Sequence, residues 1–312
     1  MSTLAGRRSP WGPLRIADAH VHFFSNRFFS GLVAQKPGLT LEAAQKTLGW
    51  ELPSEHPELL ASRWIEELDH HGVQAAAIIA SLPGDEASVM AAAQQHPDRL
   101  FPYAMVNPRG TFSVGALAGI QAACLFPAMH LYSIQDDCVK PVFEWAQREK
   151  RVVFVHCGVL SVGVRKKLGL ASPFDLKYSN PIDIHAVAVR YPDVPIIVPH
   201  FGAGYFREAL MLADLCPNVY LDTSSSNDWT RYQTPPMELR EVLKQALQIV
   251  GPSRLLFGTD SSFFPRGWQL PVFDAQTTSL YELGVNGASS CARSPCCHRG
   301  TDCSHRGCSG SR

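Results

Sequence analysis

Five side chains of the types that bind divalent metals follow apolar stretches of this sequence. They are His20, His22, His156, His200 and Asp260. Imidazole and carboxylate ligands suit a borderline cation such as zinc, and they also suit iron, manganese or cobalt. Such a cation lowers the pKa of a bound water from about 15.7 towards about 7 and makes hydroxide available at neutral pH. The five residues therefore predict a metal-dependent site, provided that the fold brings them together.

The pair His20 and His22 is weak evidence when taken alone, since 12 histidines are spread over the 312 residues. On a β-strand, residues i and i+2 point to the same side, so the two imidazoles would share one face. A lone histidine at a strand end is more often hydrogen-bonded structure than a metal ligand. Asp260 alone could cap a helix, and for Asp222 in the stretch LDTSSS capping is the favoured interpretation. The metal site is therefore predicted from the combination of residues.

Eight apolar runs alternate with helical stretches along the chain, and the five residues lie at the ends of four of these runs. The runs span 14–22, 73–80, 100–107, 120–126, 151–158, 194–202, 218–224 and 253–260. The helical stretches lie near 58–71, 84–96, 111–118, 136–149, 181–191, 204–215, 236–250 and 271–283. Continuous apolar runs are typical of buried parallel strands, so the pattern predicts an α/β protein with a closed (β/α)₈ TIM barrel rather than an open doubly wound sheet. The C-terminal strand ends of such a barrel share one face, where active sites lie.

A long segment, about residues 23–57, follows the first strand and is rich in phenylalanine. A loop of this length in a compact domain is usually a lid, an insertion or a binding loop. Because it follows a C-terminal strand end, we expect a loop insertion over the mouth of the barrel.

Several function classes are disfavoured by composition. Lys plus Arg and Asp plus Glu each number 28, and this balance indicates neither a nucleic-acid nor a membrane partner. No apolar run reaches the roughly 18 residues of a membrane-spanning helix, and the first residues lack the apolar core of a signal peptide. We therefore expect a cytoplasmic protein with a small-molecule substrate, and a homo-oligomer is left open. No glycine-rich phosphate-binding turn follows a strand, which disfavours nucleotide cofactors.

Five motifs at the strand ends together resemble those of the amidohydrolase superfamily. They are DAHVHFF, VFVHCG, IIVPHFGAGYFREAL, NVYLDTSSSNDW and RLLFGTDSSFFPRGW, within about residues 14–284. More narrowly, they are similar to the amidohydrolase-related (amidohydrolase 2) branch, which also holds aminocarboxymuconate-semialdehyde and resorcylate-type decarboxylases. The resemblance implies one metal-dependent (β/α)₈ domain over residues 1–284.

By position, the resemblance implies metal ligation by His20, His22, His156 and Asp260. It also implies that Asp260 can take a proton from the bound water and that His200 either orients this water or acts as an acid/base. Many members bridge two metals with a carboxylated lysine at the end of strand 4, but the corresponding stretch IQAACLFPAMH has no lysine and carries Phe126 before its proline. We therefore expect one divalent ion, with Zn²⁺ favoured and Mn²⁺ or another metal as the alternative.

Four further residues are candidates for contacting the substrate. Phe23 follows the first strand, His130 lies after the fourth, and Trp229 and Arg266 follow the seventh and eighth. Arg266 would suit a carboxylate. A solvent-exposed position is an equal alternative for His130, and a role outside the site is favoured for the other three.

Residues 285–312 differ in composition from the rest of the chain. Their sequence, VNGASSCARSPCCHRGTDCSHRGCSGSR, is nearly free of aliphatic side chains. Such a segment does not pack a helix against a barrel, whereas relatives would be expected to continue with one. A disordered tail is the favoured interpretation. A shifted reading frame is one alternative and a Cys/His metal tract is another, although the spacing matches no standard zinc module.

Three functions are compatible with the sequence. The first is a metal-dependent hydrolase, in which metal-activated water attacks the carbonyl of an amide, lactone or ester and the metal stabilises the oxyanion. The alternative is a non-oxidative, metal-dependent decarboxylase of a small carboxylic acid, aromatic in one version, that uses the same residues. The third is a non-catalytic barrel that binds a small molecule or a partner, and the presence of all five strand-end residues argues against it.

Overall fold

The computed structural model describes residues 7–9, 12–160, 162–172, 174–224 and 229–262, with side chains from residue 15 onward. A short antiparallel hairpin (Arg7–Ser9 and Gly12–Leu14) precedes a sheet of eight parallel strands. The strands of this sheet are β1 (Ile16–Phe23), β2 (Val73–Ala80), β3 (Leu100–Val106), β4 (Ala122–Leu125), β5 (Val152–Val155), β6 (Ile196–Val198), β7 (Val219–Asp222) and β8 (Leu255–Leu256). Each strand pairs with the next one along the chain.

The first and last strands also meet and close the sheet. Ala19 N–H donates to the Phe257 carbonyl at 2.8 Å, and His22 N–H donates to the Ser261 carbonyl at 2.7 Å. Val21 and Ser261 form a parallel bridge. The predicted (β/α)₈ TIM barrel is therefore confirmed.

Helices alternate with the strands and surround the barrel. Within the described residues the α-helices are α1 (Asn26–Val33), α2 (Leu41–Leu48), α3 (Pro57–His70), α4 (Glu86–Gln95), α5 (Pro127–His130), α6 (Lys140–Glu149), α7 (Gly163–Lys167), α8 (His185–Arg190), α9 (Phe206–Leu215) and α10 (Leu239–Ile249). None of these helices combines the length and the apolar character that crossing a bilayer requires. The helix predicted near 271–283 and the segment 285–312 lie outside the described residues.

Three of the predicted helical stretches contain 3₁₀ helix. The stretch near 111–118 forms only the 3₁₀ helix Val114–Leu117, which contains Gly115 and is followed by Gly119 at φ +83°. Glycine weakens a helix because it loses the most backbone freedom on folding. Two other stretches begin with a 3₁₀ turn, Asp137–Val139 before α6 and Pro181–Ile184 before α8.

The long segment after β1 contains α1 and α2, so its prediction as a loop is corrected. Each helix begins at a capping side chain: Ser25 accepts from Phe28 N–H and Thr40 accepts from Ala43 N–H, both at 3.1 Å. Gly49, at φ +66°, ends α2 in the left-handed conformation that glycine adopts without steric cost. These signals are present in the sequence, but they mark two helices of only eight residues each.

Helices α1, α2 and α7 pack together in a small hydrophobic cluster that is separate from the barrel core. We call this unit, residues 24–52 and 162–170, the cap; its buried side chains are Phe28, Phe29, Leu32, Ala44, Leu48, Val164 and Leu168. Lys36 Nζ donates to the Leu168 carbonyl at 3.1 Å, and Lys167 Nζ lies 5.2 Å from the centroid of the Trp50 ring. The cap and the strand ends line one cavity, so the insertion covers the mouth of the barrel as predicted.

The barrel core has an inner and an outer layer. Tyr103 and Phe154 fill the interior of the barrel, whereas Trp64 and Phe143 lie between the strands and the surrounding helices. Full burial of each such side chain stabilises the fold by about 1.5–3 kcal/mol. This packing fixes the strand ends on which the site is built.

Gly158, just after β5, is predicted to tolerate no side chain. Its φ is +78°, and a Cβ there would overlap the carbonyl oxygens of Gly202 and Ala203 after β6. We expect Gly158→Ala to lower the free energy of unfolding by about 2–5 kcal/mol, because a positive φ costs alanine ~1–2 kcal/mol and overpacking adds ~1–3 kcal/mol. Urea unfolding followed by circular dichroism measures this loss.

Gly38→Ala is the matched control, since Gly38 also has φ +78° but no atom lies within 4 Å of its Cβ position. It should lose only the conformational part, about 1–2 kcal/mol. Equal losses in the two variants would show that the close approach of the chain after β5 and β6 does not constrain position 158.

Candidate functional site

The barrel brings the five strand-end residues together at one end. His20 and His22 lie in β1, and His156, His200 and Asp260 follow β5, β6 and β8. The imidazole centroids are 5.2 Å apart for His20 and His22, 5.0 Å for His20 and His200, and 5.2 Å for His156 and His200. Ligand atoms of His20, His200 and Asp260 all lie within 4.8 Å of one another. The five residues therefore converge at one end of the barrel, and their division into metal ligands and proton-transferring residues stays a prediction.

Asp222, at the end of β7, fixes the orientation of His20. The fully buried carboxylate places Oδ2 2.9 Å from His20 Nδ1, and Oδ1 accepts from the backbone N–H groups of His200 and Ser224, each at 2.9 Å. The interpretation of Asp222 as a helix cap is therefore corrected. Only its bond to Ser224 is local, and its main partner is an imidazole 202 residues away.

The partners of three imidazoles determine which nitrogen carries the hydrogen. The Ser81 hydroxyl donates to the Ile79 carbonyl at 3.1 Å and lies 2.7 Å from His22 Nδ1, so it must accept from that nitrogen. His200 Nδ1 lies 3.1 Å from the Ser224 carbonyl, which can only accept. The same reasoning applies to His20, whose Nδ1 lies beside the Asp222 carboxylate, which can only accept. All three imidazoles therefore hold their hydrogen at Nδ1 and present the lone pair of Nε2.

The donor set fits a divalent cation. His22 Nε2 lies 3.0 Å from Asp260 Oδ1, and two lone pairs at that distance repel unless a proton or a cation lies between them. His20 Nε2 is buried and has no hydrogen-bond partner among the described residues. Buried polar atoms are almost always satisfied, so an unpartnered nitrogen beside a carboxylate indicates a ligand. Imidazoles with one carboxylate suit zinc and also manganese.

Two of the five residues have strained backbones. His200 and Asp260 have φ values of +56° and +59°, in the left-handed region that residues other than glycine seldom adopt. Each such conformation costs about 1–3 kcal/mol and persists only where its surroundings enforce it. Here the backbone N–H of His200 donates to Asp222, and that of Asp260 donates to the His20 carbonyl, both at 2.9 Å. These hydrogen bonds enforce the strained conformations and so hold both side chains at the centre of the site.

The protonation states of His156 and Asp260 also suit a cation. Burial lowers the pKa of His156 well below its ordinary value, and the neighbouring imidazoles of His200 and His20 lower it further. Burial by itself raises the pKa of Asp260, but the adjacent imidazoles of His22, His200 and His20 outweigh burial and lower it below its ordinary value. A neutral imidazole and an ionised carboxylate are the forms that ligate metals.

Phe126 occupies the position directly after β4, where the resemblance would place a bridging lysine. Its ring stacks on His156 with a centroid distance of 5.3 Å and an interplanar angle of 20°. Among the described residues, no lysine lies on the cavity wall. A single metal ion accordingly stays our prediction.

A cavity of about 380 Å³ opens beside these residues. The cap contributes mainly apolar and aromatic side chains to its wall, among them Phe24, Phe28, Leu32, Trp50 and Val164. The strand ends contribute His22, Ser81, His156, His200 and Asp260. A small, largely apolar molecule that carries polar groups therefore fits this space.

Two of the four candidates for contacting the substrate, Phe23 and Trp229, do not line this cavity. Phe23 is fully buried in the outer core, because alternate residues of a strand face opposite sides and Phe23 shares its side with Val21. Phe24 lines the cavity instead. Trp229 is buried in the core with its ring 5.5 Å from that of Phe206.

The other two candidates differ in outcome. His130 lies on the cavity wall, whereas Arg266 lies outside the described residues. Arg165 of α7 also lies on the wall, and the sequence carried no signal for it. Ser81 and Ser224 were likewise missed. Their only available signal was a polar residue at the end of an apolar run.

Comparison with known proteins identifies the family. The sequence model of the family described as amidohydrolase matches residues 17–281. A probable 2-pyrone-4,6-dicarboxylic acid hydrolase from Acinetobacter baumannii is similar in structure, with a TM-score of 0.59 and 13% identity over 88% of this chain and 95% of that chain. A 5-carboxyvanillate decarboxylase from Novosphingobium aromaticivorans, solved with manganese, has a TM-score of 0.58 and 15% identity over 95% and 98% of the two chains. At these identities the likeness shows the fold alone.

One curated relative has a higher sequence identity over a shorter region. Protein fluG of Emericella nidulans is 32% identical over 138 residues, which are 42% of this chain and 15% of that protein. The match therefore spans only a small part of that relative's length.

Asp222→Asn is expected to weaken metal binding roughly 10- to 100-fold, because residues that orient a ligating histidine typically contribute that much. An amide can turn its NH₂ towards His20 Nδ1 and favour the opposite tautomer, which removes the lone pair from Nε2. Competition with a chromogenic chelator measures the affinity for zinc and for manganese.

Asp193→Asn makes the same change at an exposed position and should leave the affinity unchanged. Unaltered metal affinity in a folded Asp222→Asn protein would argue against the assigned tautomer.

Proposed function

The chain belongs to the amidohydrolase family of metal-dependent enzymes, and we propose that it is a hydrolase in which water attacks the carbonyl of an amide, lactone or ester of a small molecule. The convergence of the Nε2 lone pairs of His20, His22 and His200 near Asp260, beside a cavity, is the observation that carries this proposal. The similar barrel of a probable 2-pyrone-4,6-dicarboxylic acid hydrolase is consistent with a hydrolytic reaction.

We assign one divalent cation, Zn²⁺ in the first instance and Mn²⁺ as the alternative, to His20, His22, His156 and Asp260. When bound, the cation supplies Lewis acidity, which makes water more acidic and stabilises negative charge on a carbonyl oxygen. Asp260 would accept a proton from the attacking water at its carboxylate. His200, whose hydrogen is held at Nδ1, can take a proton at Nε2 and return it to the leaving nitrogen or oxygen.

Metal content and reaction type, measured on one preparation, test the proposal. The wild type should hold about one equivalent of zinc or manganese per chain by elemental analysis, and His156→Ala should lose most of it. His185→Ala, at an exposed position at the start of α8, is the matched control and should retain the metal. With lactones, esters and amides in ¹⁸O-water, the loaded enzyme should place one solvent oxygen in the acid product, as mass spectrometry detects.

Two outcomes would contradict this proposal. A folded protein that holds no metal would favour a non-catalytic barrel. Release of carbon dioxide from aromatic carboxylic acids, without incorporation of solvent oxygen, would favour decarboxylation.

Decarboxylation of a small aromatic carboxylic acid is the second candidate, and the wall of the cavity favours it. Arg165 is the only lysine or arginine among the described wall residues. Its Nε, at 2.9 Å, and its Nη2 both donate to the Ala171 carbonyl, and the other N–H donors of the guanidinium have no partner among the described residues and can meet a carboxylate. Phe24, Phe126 and Phe174 give the same wall an aromatic character.

Arg165→Met is expected to weaken the binding of benzoate, used as a probe, by roughly 10- to 150-fold, since a hydrogen bond to a charged group contributes about 1.5–3 kcal/mol. Lys166→Met removes the same charge from an exposed position on the same helix and should leave the affinity nearly unchanged. Isothermal titration calorimetry measures both. Equal affinities in the two variants would exclude Arg165 as a carboxylate contact and weaken the second candidate.

A further inference from the structure

His130 lies in a part of the cavity wall that the proposed chemistry does not use. It ends α5, the single helical turn after β4, and its neighbours on the wall, Met129 and Phe126, are apolar. Among the described residues, His130 forms no hydrogen bond or ring contact with the metal-binding cluster, and its one ring contact there is with Tyr132, at 6.4 Å between centroids. The imidazole is therefore a separate polar feature of an otherwise apolar surface.

The ring of His130 has no polar partner in the described part of the chain. Nδ1 is sealed from solvent and unpartnered, and no hydrogen bond of the described side chains involves Nε2. Burial alone lowers the pKa of His130 to about 4, and no charged neighbour contributes. At neutral pH the imidazole is therefore uncharged and offers one donor and one acceptor nitrogen.

Among the described residues, no side chain or backbone group pairs with the ring of His130, and a polar atom on the wall of a ligand cavity that lacks a protein partner can pair with a ligand atom. Because Nδ1 is sealed, Nε2 is the nitrogen that remains to meet a molecule in the cavity. We infer that His130 hydrogen-bonds through Nε2 to a polar ring atom or substituent of the substrate, such as a hydroxyl, a carbonyl or a ring nitrogen, at a point separate from the metal centre. This inference rests on the proposed function only in taking the cavity as the substrate site.

The inference has a consequence for substrate class. A site that is built to hydrogen-bond a substrate group rejects analogues that lack that group, because its own polar atom is then left unpaired. The preferred substrate is accordingly a small molecule with two polar features. One feature reacts at the strand ends and the other meets His130.

Phenol and toluene, which have nearly the same shape and differ in one hydroxyl, serve as probes. The ratio of their dissociation constants, measured by ligand-observed NMR on the metal-loaded protein, reports the hydrogen bond. We expect His130→Phe to lower the preference for phenol by roughly 2- to 12-fold, the value of one neutral hydrogen bond. Met129→Leu, a change in the adjacent apolar wall residue, should leave the ratio unchanged.

Two amide variants identify the nitrogen involved. The amide of glutamine reaches about as far as Nε2 and that of asparagine about as far as Nδ1, so His130→Gln should restore the preference and His130→Asn should not. An unchanged ratio in folded His130→Phe, or equal rescue by both amides, would overturn the inference. Metal content and turnover are measured on each variant, so that loss of the metal tests the proposed function and the phenol ratio tests His130.

Discussion

The site depends on the joint between the first and last strands of the barrel, and one buried carboxylate holds that joint. Asp18 Oδ1 accepts from the backbone N–H groups of His20 and Thr259, at 2.9 Å and 3.1 Å, and the Thr259 hydroxyl donates to Oδ2 at 2.5 Å. Burial raises the pKa of Asp18 to about 7, although these hydrogen bonds act in the opposite direction. His20 is one of the residues so joined and Asp260 is adjacent to the other, Thr259, so the distance between His20 and Asp260 depends on the closure of the barrel.

Each histidine of the cluster, apart from His156, has an orienting group supplied by another strand. Asp222 of β7 holds His20 of β1, Ser81 after β2 holds His22, and Ser224 after β7 holds His200. Because these partners belong to rigid parts of the barrel, the three Nε2 lone pairs are directed before any ligand arrives. Preorganisation of this kind is what allows a site to bind a cation and stabilise developing charge without further rearrangement.

The sequence was sufficient to predict the barrel and the five candidate residues, because the order of strands in a parallel barrel follows their order along the chain. It was insufficient where the partner lies far away. Asp222 reads as a cap locally, and its role is defined by His20, 202 positions earlier. Phe23 was assigned to the site because strand phase near a strand end is hard to judge from one sequence. The helices of the cap are short and are stabilised by contacts with α7, which no local pattern reveals.

One part of the molecule provides the metal chemistry, and other parts determine the choice between hydrolysis and decarboxylation. Both reactions can use the same strand-end residues, so fold and family alone do not separate them. The groups that would distinguish substrates, Arg165 and His130, lie in segments after β5 and β4. Val164, the neighbour of Arg165, is part of the buried cap cluster, so the packing of α1 and α2 against α7 determines where the guanidinium stands relative to the metal centre. Changes in the cap interior would therefore alter substrate choice while the barrel keeps its metal-binding geometry.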